Sequence, residues 1–223
     1  MSAYEILKHQ GVSRLCHFTK LVNLVHIISS EAGIYATKNI DSDIKREVDH
    51  ARYDGQTGYV CSSVEYPNTW FLRKAKERDI ESVFKDWIVF CIDLNVLKIR
   101  NIKFSPCNAS TGSGDYVYSN EDDIGMLFRP FGRRKRTGKM FSCCATDDQA
   151  EILVQNNIPR DMISKIIVGN ELAAAQVYSI LRVYDMQHIS IAIAPDVLNT
   201  NWSRMVRDGK RPAEVEFLPE GEV

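Results

Sequence analysis

The sequence has no run approaching the roughly 18 apolar residues that a membrane-crossing helix needs. It also has no surplus of charge. The formal net charge is −1, so no global field draws the chain to nucleic acid, and any such binding must be local. Neither the phosphate-cradling G-x-x-x-x-G-K-[ST] loop nor the G-x-G-x-x-G dinucleotide turn occurs, which excludes P-loop and Rossmann chemistry. The six cysteines contain no C-x-x-C pair and the five histidines are scattered. The paired spacings of a structural zinc site are therefore missing, and no metal is expected. Met1 to Gln10 lacks the apolar core of a secretion signal, so the expectation is a cytoplasmic protein with reduced thiols.

What remains is an ordinary globular composition, 44% hydrophobic and 26% charged over 223 residues. That length suits one larger domain. No internal repeat or domain linker stands out. Met1 to Gln10 reads as a short helix and Leu15 to Thr19 as a strand. Leu21, Leu24, Val25 and Ile28 have the spacing of an amphipathic helix, with Thr19 placed to cap it. Asp41 to Arg52 is charged and reads as partly helical. Tyr59 to Val64 is a strand and Trp70 to Val83 a helix. Trp87 to Leu94 is the most apolar strand, expected at the centre of a sheet. A long polar connection follows Pro106, with a short helix near Glu121 to Phe128. Ile166 to Val168 and Ile189 to Ile193 are strands flanking a helix over Leu172 to Tyr184. The tail from Pro195 is polar. This alternation defines one α+β domain.

Gln149-Ala150-Glu151-Ile152-Leu153-Val154 is a short apolar strand pattern with one carboxylate inside it. Alternation puts Gln149, Glu151 and Leu153 on one face. By strand statistics alone, Glu151 would more often face solvent at a sheet edge. Just upstream, Arg129 to Phe141 carries six basic residues and two aromatics. Such a run is commonly a solvated surface. It also has the makings of a nucleic-acid contact, with Arg133, Arg134 and Arg136 tracking phosphates and Phe131 or Phe141 stacking on an unpaired base.

Three segments in order give the chain a resemblance. They are His17-Phe18-Thr19-Lys20-Leu21-Val22-Asn23-Leu24, then Tyr59 to Asn68, then Gln149 to Val154 followed by Ile158-Pro159 and Ile166 to Val168. Together they resemble the DarT-type DNA ADP-ribosyltransferases, toxin components of bacterial toxin–antitoxin pairs, over roughly residues 14 to 195. The resemblance implies an ADP-ribosyltransferase-like fold of split mixed β-sheets with flanking helices, in a single domain over residues 1–223. It implies transfer of ADP-ribose from NAD to a nucleobase of single-stranded DNA, since a base-edge nitrogen is occupied in a duplex. Glu151 would then stabilise the positive charge that develops on the ribose as the glycosidic bond breaks.

By the same resemblance His17, Thr19 and Asn23 would hold NAD, and Tyr59 could stack on nicotinamide. Arg46, with Arg52 as its rival, would meet the diphosphate or assist proton removal from the base; a guanidinium pairs bidentately with such an anion. Gln149 would help hold the acceptor. An antitoxin partner with ADP-ribosyl hydrolase activity is implied, as is a role as bacterial toxin or phage-defence effector. The sequence departs from the thymidine-modifying branch at Glu65 to Thr69, where a turn rich in Pro and Arg is usual. Ser105-Pro106-Cys107-Asn108-Ala109 looks more like the guanosine-modifying branch, which leaves guanine or thymine as the acceptor. RNA, a protein acceptor and a catalytically inactive binding module are the competing readings.

Overall fold

The structure, a computed structural model, describes residues 1–40, 53–78 and 86–219. The helical stretch expected over Asp41 to Arg52, with Arg46 and Arg52, lies outside the described residues, as does the end of the helix expected to reach Val83. The strands in chain order are β1 (Leu15–Lys20), β2 (Ile34–Tyr35), β3 (Tyr59–Val64), β4 (Trp87–Ile92), β5 (Ile102–Ser105), β6 (Glu151–Gln155), β7 (Asn157–Ile158), β8 (Ile163–Val168), β9 (Ser190–Ile193) and β10 (Val215–Glu216). The helices are α1 (Ala3–His9), α2 (Leu24–Ile28), α3 (Thr69–Arg78), α4 (Val96–Ile99), α5 (Glu171–Val183), α6 (Pro195–Leu198) and α7 (Trp202–Arg207).

Eight strands form one mixed sheet in the order β10-β9-β8-β4-β1-β3-β6-β5, while β2 and β7 pair separately. Strand β4 is interior, as its composition predicts, and every one of its residues is buried. Phe90 has no exposure at all, and truncating such a ring to Ala costs about 3–5 kcal/mol. β8 and β9 are parallel, and α5 makes the crossover between them. That helix starts at Asn170, whose side chain accepts the Ala173 N–H at 2.9 Å. It buries Ala173, Ala174, Val177 and Leu181, the i, i+4, i+8 stripe of a half-buried helix.

The feature that positions the site is a split between β1 and β3. β1 pairs with β4 along its whole length, from Leu15↔Ile92 to Lys20↔Trp87. With β3 it shares only the rungs Leu15↔Val64 and Cys16↔Ser63. Beyond Cys16 the two strands part. β3 stays paired to β6 from Ser63↔Glu151 to Tyr59↔Gln155, so Glu151 sits level with the last closed rung and Tyr59 at the open end. The mixed, split sheet with flanking helices is the architecture expected from the resemblance.

Three local expectations change. Strand β6 begins at Glu151 rather than Gln149. The Asp147 carboxylate accepts the Gln149 N–H at 3.0 Å, and the Asp147 carbonyl accepts the Ala150 N–H at 3.1 Å. An aspartate folded onto the backbone two residues ahead makes a turn, and Gln149 is therefore in a turn and does not share a strand face with Glu151. Thr19 is also not a helix cap. Its backbone is committed to the β4 ladder opposite Ile88, and a 3₁₀ turn over Leu21–Asn23 precedes α2, with Lys20 at its start and no side-chain cap. The polar tail folds back: α7 buries Trp202 and Val206, and the Trp202 indole stacks on Tyr66 with centroids 4.9 Å apart.

Candidate active site

The split opens into a cleft of about 500 Å³, within the usual range for small-molecule sites. One wall is β1 with His17, Phe18 and Thr19, and the other is β3 with Tyr59, Val60, Cys61 and Ser63. Glu151 lies at the closed end, and Asn23, His26, Ser30, Tyr35 and Phe71 complete the lining. The five residues expected to bind NAD or act on it within the described chain, His17, Thr19, Asn23, Tyr59 and Glu151, thus face one space. Gly33 is required at the back of it. Its φ is +68°, and an added Cβ would lie 2.3 Å from the Ile158 carbonyl oxygen, so no side chain fits there.

Glu151 is 7% exposed. Burying a carboxylate is costly unless hydrogen bonds replace water, and two amides supply them. Asn68 Nδ2 donates to Glu151 Oε1 at 3.1 Å and Asn108 Nδ2 to the same oxygen at 3.4 Å. Asn68 is itself fixed. Its N–H donates to Ser63 Oγ at 3.0 Å, and its Oδ1 accepts the Phe71 N–H at 2.9 Å. It thereby caps α3 with its carbonyl and steers Glu151 with its amino group. Asn108 is held through Oδ1, which accepts the Ser110 N–H at 3.0 Å and the Ser110 hydroxyl. Neither asparagine stood out in the sequence as a partner of Glu151. Asn68 did carry the local signal of an N-cap directly before a helix.

His17 bridges the split. Its Nδ1 lies 2.8 Å from the Cys61 carbonyl oxygen. A carbonyl only accepts, so Nδ1 is the donor and carries a proton. Thr19 is buried, and its Oγ1 accepts from Asn23 Nδ2 at 2.9 Å. The two residues thus bond to each other rather than capping a helix. Tyr59 has the Lys103 ammonium 4.9 Å from its ring centroid, which leaves one face of the phenol engaged by charge.

The residues expected to hold the acceptor lie outside the cleft lining. Phe131 and Arg134 close a tight turn through N–H···O bonds of 3.1 and 2.9 Å, which puts exposed Arg133 at its tip. Arg134 is engaged by acid, 3.6 Å from both Asp147 and Asp148. Asp148 also accepts from Thr69 Oγ1 at 2.9 Å and from Ser203 Oγ. Burial pushes the Asp148 carboxyl up, but the Ser203 and Thr69 hydrogen bonds and the Arg134 charge outweigh it and hold it low. Arg136 is spent on the loop itself, donating to the Phe141 and Cys144 carbonyls, both at 2.7 Å. Phe141 lies under the Arg211 guanidinium at 4.4 Å. Of the three arginines expected to track phosphates, two are therefore occupied within the protein, because buried carbonyls and carboxylates compete for them.

The fold is that of the DarT ADP-ribosyltransferases. Thermus sp. 2.9 DarT in complex with ADP-ribosylated ssDNA superposes with a TM-score of 0.62 at 13% identity, covering 84% of this chain and 96% of that one. The same protein in complex with NAD+ gives 0.60 at 14% identity, with 83% and 96% covered. Thermosipho africanus DarTG in complex with ADP-ribose gives 0.57 at 15% identity, covering 83% of this chain and 51% of that one. No curated protein matches in sequence. The family profile described as DarT, ssDNA thymidine ADP-ribosyltransferase, matches residues 16–202. The chain belongs to the DarT family of ADP-ribosyltransferases. Among the described residues no helix is long and apolar enough to cross a membrane.

Proposed function

We propose that this protein transfers ADP-ribose from NAD to a nucleobase of single-stranded DNA, and that Glu151 is its catalytic carboxylate. The observation that carries the reading is the convergence of His17, Thr19, Asn23, Tyr59 and Glu151 on one cleft of about 500 Å³. NAD supplies ADP-ribose there and leaves nicotinamide behind. His17, Thr19 and Asn23 line the side of the cleft that would take the nicotinamide half and its ribose, and Tyr59 offers a ring at the open end. Glu151 stands where the sheet closes, oriented by Asn68 and Asn108, so that its charge would face the cation developing on the ribose. Fixing the carboxylate before the bond breaks avoids reorganising it during reaction. Arg46 is proposed to meet the diphosphate or assist proton removal from the base, with Arg52 as the alternative.

The acceptor side is proposed to follow the turn at Arg133 and the segment around Gln149, with Phe131, Arg134 and Arg136 shaping it. The matching profile is named for thymidine, which supports thymine as the acceptor. The Ser105 to Ala109 segment, which sends Asn108 to Glu151, favours guanine as the second reading. A Thermus relative holding ADP-ribosylated ssDNA supports DNA over RNA. The DarTG relative holding ADP-ribose supports a toxin role opposed by an antitoxin that removes the modification. The experiment is incubation with NAD and mixed-sequence DNA or RNA oligonucleotides, then mass spectrometry of the released nucleosides. An ADP-ribosyl adduct on one base of single-stranded DNA is expected. Adducts on RNA or on the protein alone would contradict the reading.

A further inference from the structure

Two loops of the segment between β5 and β6 meet through an aromatic contact that the reading above does not use. Ser105, at the end of β5, lies opposite Glu151. On the other side of β5, Phe104 pairs with Tyr118 through N–H···O bonds of 2.9 and 2.8 Å. Through Phe104, Tyr118 stands two strand spacings, roughly 10 Å, from Ile152, the neighbour of Glu151. Tyr116 stands two residues before Tyr118, inside the turn that the Gly114 carbonyl closes on the Val117 N–H. The Tyr116 ring meets Phe131 edge to face, with centroids 5.2 Å apart at 81°, yet 36% of Tyr116 stays exposed.

The loop leading to Tyr116 is tightly wound. Gly112, Ser113 and Gly114 all have positive φ, at 60°, 57° and 98°, and the Gly114 carbonyl accepts the Val117 N–H at 3.0 Å. A Cβ on Gly114 would stand 3.0 Å from the Asp54 carbonyl oxygen, so the loop presses directly on its neighbour. On the far side of the ring pair, Phe131 closes the turn that carries Arg133 at its exposed tip.

We propose that Tyr116, backed by Phe131, is the stacking platform for the nucleotide next to the modified one, with Arg133 on a nearby phosphate. The inference rests on single-stranded DNA being the acceptor. A held aromatic ring binds a base face with little loss of side-chain freedom, and because every base has such a face the contact tolerates sequence.

The test measures the affinity of the full chain for a fluorescein-labelled single-stranded oligonucleotide, intact or with an abasic site on either side of the modified base. Tyr116→Ala should weaken binding to the intact oligonucleotide about 10-fold, and Tyr116→Trp should restore it. NAD affinity by calorimetry should not change. One of the abasic sites should weaken wild type by a similar factor and have no further effect on Tyr116→Ala, since ring and base are then the same contact. Wild-type affinity in Tyr116→Ala, or an abasic cost equal in both proteins, would overturn the platform while leaving DNA modification standing. A wild-type protein that binds no single-stranded oligonucleotide would remove both.

Discussion

Asn68 holds Glu151 with one end of its amide and caps a helix with the other. Nδ2 reaches Glu151 Oε1 at 3.1 Å, while Oδ1 takes the Phe71 N–H at 2.9 Å. The position of the Glu151 carboxylate is thereby tied to the start of α3. The two roles separate by substitution. Asn68→Ser keeps a good capping residue but is too short to reach Glu151. With the cap kept, its unfolding free energy should fall only by the cost of a buried carboxylate short of one donor, about 1–3 kcal/mol, while turnover drops on the order of 10–100-fold. Asn68→Asp keeps the cap and sets a second carboxylate against Glu151, so its turnover should fall further. Equal turnover in all three proteins, measured by nicotinamide release, would separate Asn68 from catalysis.

His17 joins the two walls of the cleft through the Cys61 carbonyl at 2.8 Å. His17→Ala removes that bridge and a ring from the wall proposed to hold the nicotinamide half. The Kd for NAD by titration calorimetry should rise about 10-fold, or about 1.4 kcal/mol. An unchanged Kd would place NAD elsewhere.

The basic segment should divide by partner. Arg133 is exposed at a turn tip, so Arg133→Ala should lower the slope of log affinity against log salt for single-stranded DNA by about 0.7–1, with no change in melting temperature. Arg136 donates to the Phe141 and Cys144 carbonyls at 2.7 Å. Arg136→Ala would leave those groups unpaired at a cost of about 1–3 kcal/mol, read as a lower melting temperature. The opposite pattern would show that Arg136 contacts DNA and Arg133 holds the loop.

That division marks where the sequence is legible and where it is not. The strand pattern at Leu15 to Thr19, at Tyr59 to Val64 and within Trp87 to Ile92 is local, and the structure keeps it. His17, Tyr59 and Glu151 lie on β1, β3 and β6, adjacent antiparallel strands, and their convergence is accessible from the sequence only through the family resemblance. Partners made by tertiary contact were not. Nothing in the sequence around Asn68 or Asn108 says that both amides reach one carboxylate 43 to 83 residues away. Nor does it say that Asp147 and Asp148 would take up Arg134. Gln149 was misplaced for a local reason: alternation continues through Ala150, but the Asp147 side chain folds the backbone into a turn and delays the strand to Glu151.

Behind the site, the Arg14 guanidinium pairs with Glu214 at 2.9 Å through Nη1, with both side chains largely buried. Burial pushes the Glu214 carboxyl up, but the Arg14 hydrogen bond and charge, with Lys165, hold it below its ordinary 4.5. A lowered carboxyl contributes stability that is complete above about 4.5 and lost as the pH falls through its lower folded value. Glu214→Gln should cost about 2 kcal/mol in urea unfolding at pH 7, less than the 3–5 of a fully buried pair. The gap to wild type should close on acidification below that window. A gap independent of pH would mean that the charge is not what stabilises the pair.

The most direct measurement is adduct formation by Glu151→Gln, which keeps the shape of the side chain and its place on β6 but removes the charge. With NAD and single-stranded DNA, the ADP-ribosyl–nucleoside signal by mass spectrometry should fall at least on the order of 100-fold, while the Kd for NAD stays within a few-fold of wild type. Wild-type adduct formation by a folded Glu151→Gln protein would contradict the role of this carboxylate in the cleft.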